Sequence, residues 1–155
     1  MLCVFREAVV EVRIREATVS DIQKVLSVYA SAGIDNANEG KLPVAEKTFE
    51  KMGLYPSYKV YVAEADNEVI GTFELLVMDN LAHGGAPSGV VEDVAVVPSV
   101  QGQGVGKAMM QFAMGECRRQ GCYKMALSSN ATRTGAHRFY ESLGFKPTNE
   151  MRLKL

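Results

Sequence analysis

Apolar residues recur along this chain in two rhythms, and the changes of rhythm mark its elements. Val10 to Arg15 (VEVRIR) alternates apolar with polar at period two, the pattern of a half-buried strand. Thr18 and Ser20 then offer N-caps and Asp21 suits a first turn. Ile22, Val25, Leu26 and Tyr29 follow at helical spacing, with Gly33 as the stop. Ile34 to Pro43 (IDNANEGKLP) is polar and turn-rich, and a second helix is expected over Glu46 to Met52. Ser57–Ala65 and Val69–Met78 are β-rich runs joined by Asp66, Asn67 and Glu68, an antiparallel hairpin signal. Asn80 to Gly89 reads as a loop leading into a strand over Val90 to Val97. Val105 to Gln120 carries Val105, Met109, Phe112, Ala113 and Cys117 at helical spacing, and Cys122 to Ser128 is again a strand. This strand–helix–strand order makes the two strands parallel neighbours through a right-handed crossover. Gly135 to Leu143 is a short helix stopped by Gly144, and Met151 to Leu155 is a last alternating strand. Met1 to Val9 reads as a leader segment of a single domain spanning residues 1–155.

Composition narrows the classes. A chain of 155 residues that is 47% apolar has enough material for one real core. A net charge of −1 gives no electrostatic case for nucleic acid or an anionic membrane. No apolar run reaches the length of a membrane span, and the N-terminus lacks a signal-peptide pattern. Cys3, Cys117 and Cys122 are odd in number and lack metal-ligand spacing, so no metal is expected and the thiols read as reduced packing groups of a cytoplasmic protein. The charges are unevenly spread. From Val60 to Gly106 there is no Lys or Arg against seven acids, whereas from Lys107 to Leu155 nine basic residues face three acids. A cationic substrate suits the first stretch and an anionic cofactor the second.

The chemistry concentrates in Val90 to Lys107 (VVEDVAVVPSVQGQGVGK), where a strand empties through Gly102, Gly104 and Gly106 into a helix start. Glycines let backbone N–H groups approach an anion, and the helix N-terminus adds a partial positive charge. A Walker A loop is excluded by Gln101 and Ala108, which stand where it needs Gly and Ser or Thr. The dinucleotide fingerprint fails as well, because the glycines run GxGxG and no acid follows near residues 121–127. Glu92 and Asp93 lie just upstream. On a regular strand they face opposite sides, so they cannot share one substrate atom unless a bulge intervenes. His83, alone in its loop, reads as an ordinary surface residue.

Gln101, Gly104 and Gly106, in the pattern Q/R-x-x-G-x-G/A behind their strand, resemble the acetyl-CoA loop of the GNAT N-acetyltransferases. Ser128 to Phe145 (SSNATRTGAHRFYESLGF) is similar to that family's final cofactor motif, and its Asn130 lies 24 residues after Gly106 with one helix and one strand between. The resemblance runs from Val10 to Leu155 in element order and is closer to the small-molecule amine acetyltransferases than to protein-directed members. It implies a mixed α/β fold: a twisted sheet of six to seven strands with about four helices, whose parallel pair splays apart to admit the cofactor. It implies that Val94, Ala95 and Val96 offer backbone groups to the pantetheine arm, that Gly102, Gln103, Gly104, Val105, Gly106 and Lys107 hold the pyrophosphate, and that Asn130 bonds the cofactor. Lys107, Arg133 and Arg138 are alternatives for the outer phosphate.

By the same resemblance Glu92 is the base or amine-orienting acid, directly or through a water, Asp93 a substrate contact, and Tyr140 the general acid. Packing on the core is the alternative role for Tyr140. Acetyl-CoA is then the acyl donor and a small primary amine the acceptor, with direct attack in a ternary complex because no Cys–His pair suggests an acyl-enzyme. The loop with Asp35 and Glu39 is a further candidate for acceptor contact, and a homodimer is compatible with the family. A protein N-terminal or lysine acetyltransferase, and a non-catalytic acyl-CoA sensor, stand as alternatives.

Overall fold

Five strands and four α-helices follow one another through residues 11–34 and 41–148, the part of the chain that the structure, a computed structural model, describes. In order they are β1 (Arg13–Glu16), α1 (Ile22–Ser31), α2 (Leu42–Met52), β2 (Tyr58–Ala65), β3 (Glu68–Met78), β4 (Ser88–Val96), α3 (Val105–Arg119), β5 (Lys124–Leu127) and α4 (Thr134–Ser142). The strands form one mixed sheet in sequence order, antiparallel except for the parallel pair β4–β5. Among the described residues the sheet has five strands rather than the expected six to seven, because each β-rich run between residues 11 and 148 enters it once. The expected strand Met151–Leu155, the leader and residues 35–40, with Asp35 and Glu39, lie outside the described residues. Helix α2 begins at Leu42 rather than Glu46. Pro43 sits in its first turn, where the missing N–H has no intrahelical partner to lose.

The alternation of strand residues divides the core between two faces. On one, Val62, Val69 and Ala95 pack with Val25 and Val28 of α1. On the other, Tyr61, Phe73, Leu75 and Val91 pack with Val105, Met109 and Ala113 of α3. Helix α3 lies close on the sheet, since a Cβ at Gly71 would come within 2.7 Å of the Met109 Sδ. The β2–β3 hairpin turns through Asp66 and Asn67, both with positive φ (51° and 64°), as a tight two-residue turn requires.

One polar cluster ties the start of the chain to the sheet. Asp21, expected to serve only as a first-turn acid, is buried at 6% exposure. It takes two hydrogen bonds from the Arg15 guanidinium (2.7 and 3.0 Å) and one from the Thr18 N–H (2.8 Å). Arg15 also donates twice to Glu64 on β2 (3.0 and 2.7 Å). These bonds to Arg15 hold the Asp21 carboxyl well below the usual carboxylate range. A depressed pKa adds stability above the unfolded value near 4, and that stability is lost as pH falls toward the folded one. Asp21→Asn is expected to lower unfolding free energy by about 2 kcal/mol at pH 7. Urea unfolding should show the gap from the wild type narrowing below about pH 4. A gap that stays constant down to pH 3 would remove the pair from the stability account.

Candidate active site

Register along β4 creates the site. Thr72 pairs with Ala95 and Glu74 with Glu92, so Phe73 alone on β3 faces two residues, Asp93 and Val94, on β4. The extra residue is Asp93, whose φ of 49° is left-handed, the geometry of a β-bulge. The bulge resets the alternation. Val91 and Val94 both pack toward α3, and Ala95 packs toward α1. Glu92 and Asp93, which strict alternation would send to opposite faces, are both exposed and line one cleft.

Past the bulge the sheet opens. β4 and β5 pair only through Ser88–Val91 with Lys124–Leu127, and β4 then runs on to Val96 beyond the end of β5. The parallel pairing thus ends early, and residues 92–94 of β4 face a cleft of about 590 Å³. Glu92, Asp93 and Val94 form one wall, while Ser128, Asn130, Arg133 and Tyr140 contribute to the other. Ala95 turns its side chain into the core at 3% exposure, so what it can offer a ligand is backbone.

The glycine turn sits where β4 hands over to α3. Gln101 closes the strand end by donating from Nε2 to the Val96 carbonyl (2.9 Å), and Gln103 donates to Ser99 (3.2 Å). Gly102 and Gly104 have φ of 77° and 89°. Gly104 is the N-cap of α3 and supplies no side-chain cap, so the first N–H groups of a 15-residue helix have no cap from the turn, in which Gly102 and Gly104 lack Cβ atoms. Two members of the expected backbone cradle also serve the core. Val105 is core at 1% exposure, and Gly106 admits α4, since a Cβ there would lie 3.3 Å from the Phe139 Cζ. Only their backbones can meet a ligand. Lys107 is exposed in the first turn.

Asn130 begins the turn into α4. Its Oδ1 accepts from the Thr132 N–H and hydroxyl (both 3.0 Å), which aims its NH₂ as the group for a ligand. Tyr140 lies between the rings of Phe139 and Phe145, with centroids 5.1 and 5.7 Å away. Burial raises its pKa, and the positive charge of Arg133 works against that rise. The phenol therefore stays protonated throughout the neutral range. His83 lies outside this cleft, stacked on Tyr123 with centroids 4.0 Å apart.

The chain matches the model of the acetyltransferase (GNAT) family over residues 23–145. It belongs to the GNAT acetyltransferase family. Aminoalkylphosphonate N-acetyltransferase of Salmonella typhimurium is 31% identical over 145 residues, covering 93% of this chain and 92% of that protein. Glucosamine 6-phosphate N-acetyltransferase of Trypanosoma brucei brucei is 36% identical over 98 residues, and there the match spans 63% of this chain and 65% of its relative. Among solved structures, a Trypanosoma brucei acetyltransferase superposes with a TM-score of 0.79 at 28% identity, over 94% of this chain and 100% of that one. This GNAT protein is accordingly an acyltransferase, similar to enzymes that acetylate small molecules.

Sequence reasoning missed Glu74. It faces Glu92 across the β3–β4 ladder and accepts hydrogen bonds from the hydroxyls of Tyr29 (3.4 Å) and Tyr58. Its only sequence signal was membership in the run of acids without bases. The bulge itself is directly testable. Asp93→Val places a β-branched residue at positive φ and is expected to cost about 1–2 kcal/mol. Asp93→Asn and Asp93→Gly, which tolerate that region, should melt within a few degrees of the parent. Equal stability of all three variants would mean that residue 93 does not hold the left-handed geometry.

Proposed function

We propose that this GNAT acyltransferase moves the acetyl group of acetyl-CoA to a primary amine of a small molecule by direct attack in a ternary complex. The observation that carries this reading is the placement of Glu92 with Asp93 and of Tyr140 on opposing walls of one cleft, beside the splayed edge of β4. A cleft of about 590 Å³ suits a small acceptor beside an extended cofactor arm. The relatives' substrates, an aminoalkylphosphonate and an amino sugar phosphate, are small amines too.

The donor's pyrophosphate suits the backbone N–H groups at the start of α3 in the turn Gly102 to Lys107, where the Gln103 N–H is already given to the Val100 carbonyl (3.4 Å). Its pantetheine arm suits the edge of Val94 to Val96, with the Asn130 amide as a further donor. The acceptor arrives as an ammonium, and Glu92 takes its proton, directly or through a water. The free amine attacks the thioester carbonyl, and an N–H on the open edge of β4 stabilises the oxyanion. As the C–S bond breaks, Tyr140 gives its proton to the departing thiolate, Arg133 steadies the resulting phenolate, and the second proton shed by the acylated nitrogen restores the phenol. A covalent acyl-cysteine fits poorly here. Burial and the neighbouring Cys122 push the Cys117 thiol up to about 12, so it is not a thiolate at neutral pH.

A thiol-release assay with acetyl-CoA and a panel of amines tests the reading. Tyr140→Phe is expected to lower kcat ten-fold or more, at about 1.4 kcal/mol per decade, with the KM for acetyl-CoA unchanged. Glu92→Gln should lower kcat/KM for the amine by a similar factor. Full activity in Tyr140→Phe would return Tyr140 to a packing role. Silence across the panel, with acetyl-CoA still raising Tm, would point to a macromolecular acceptor or a sensor.

A further inference from the structure

The β4 bulge gathers more charge than the mechanism uses. Glu74 of β3 stands opposite Glu92 in the ladder, so both side chains leave the same face of the sheet, the face that α1 covers. Its two carboxylate oxygens each take one phenol, Tyr29 from α1 on Oε1 and Tyr58 from β2 on Oε2. This half-buried acid is thus fixed from two elements while its charge faces Glu92 and Asp93. Burial raises its pKa most and Asp93 and Glu92 add to the rise, whereas the hydrogen bonds from Tyr58 and Tyr29 oppose it. Nothing of opposite sign comes from the surrounding strands, because residues 60–106 contain neither Lys nor Arg. Lys59, next to Tyr58, leaves the other face of β2 and pairs with Glu16 at 3.5 Å. Among the described residues that line the cleft the cation is Arg133, just before α4, which donates to the Gly33 carbonyl at 3.4 Å.

We propose that Glu74 is a specificity-determining residue of the acceptor site, making it select amines of net positive charge over amines that carry a phosphate or phosphonate. This rests on the reading that the cleft takes a small amine, and it goes further by choosing between kinds of amine. The ammonium that Glu92 meets is held against three carboxylates rather than two. A second cationic centre on the acceptor is welcomed by the same field, and a phosphonate is repelled by it. Glu74 acts here by charge from behind Glu92, and the two tyrosines keep that charge hydrogen-bonded where burial would otherwise penalise it.

The test compares two acceptors of one skeleton, 1,3-diaminopropane and 3-aminopropylphosphonate, by calorimetry on the full chain saturated with CoA. The wild type is expected to bind the diamine at least ten-fold more tightly. Glu74→Gln, which keeps partners for both phenols, should cut that preference about ten-fold, about 1.4 kcal/mol, by weakening the diamine. Glu74→Asp, which keeps the charge, should retain most of the preference, and CoA affinity should be unchanged in both variants. A wild type that favours the phosphonate overturns the proposal without any variant, and would give the choice to Arg133. An unchanged preference in a folded Glu74→Gln overturns it as well. Because binding is read rather than turnover, a Glu74-dependent preference for the diamine supports the inference even where no acetyl transfer occurs, so the two readings fail separately.

Discussion

Between Thr72 and Glu74 the third strand contributes one residue where the fourth contributes two, and the ladder absorbs the mismatch only by turning Asp93 into left-handed backbone. Hydrogen bonding in a sheet is exacting, so an extra residue cannot be spread over several positions. It is confined to one kink that rotates everything after it. Two consequences meet at the same place. Adjacent carboxylates come to share a face, and the strand beyond them parts from β5 after four paired residues. The site exists because pairing stops there.

The opened wedge is electrically divided by the elements that form it. β3 and β4 bring Glu74, Glu92 and Asp93, whereas α3 brings uncapped N–H groups and the turn before α4 brings Arg133. On the proposed reading such a division orients the reaction without moving parts: the anionic donor is assigned to the helix starts and the cationic acceptor to the strands, with Tyr140 lining the same cleft as Glu92 and Asp93. The aromatic rings around Tyr140 favour its neutral form, which is the form an acid needs.

Much of this was legible before any coordinates. The hairpin at Asp66–Asn67, the crossover through α3 and the glycine turn followed from period, turn chemistry and spacing, all of which are local. The residues expected to form the cofactor loop do form one turn and helix start, in which Val105 packs in the core and Gly106 against α4. Packing of α4 decides that, and it is set by Phe139, some 30 residues away. Asp21 looked like a first-turn acid until Arg15 and Glu64 were seen to surround it. The runs themselves gave six strands, of which five stand among the described residues and the sixth, Met151–Leu155, lies outside them; the seventh came from the family resemblance.

By itself the sequence determined which segments are strands and helices, that a strand empties through glycines into a helix, and that acids and bases occupy different stretches. Each of these depends on residues within a turn or two of one another. Only the tertiary structure decided that Glu92 and Asp93 line one cleft and that Glu74 stands opposite Glu92 in the ladder. A bulge is a property of two strands in register, and register is settled by how the whole sheet packs on α1 and α3.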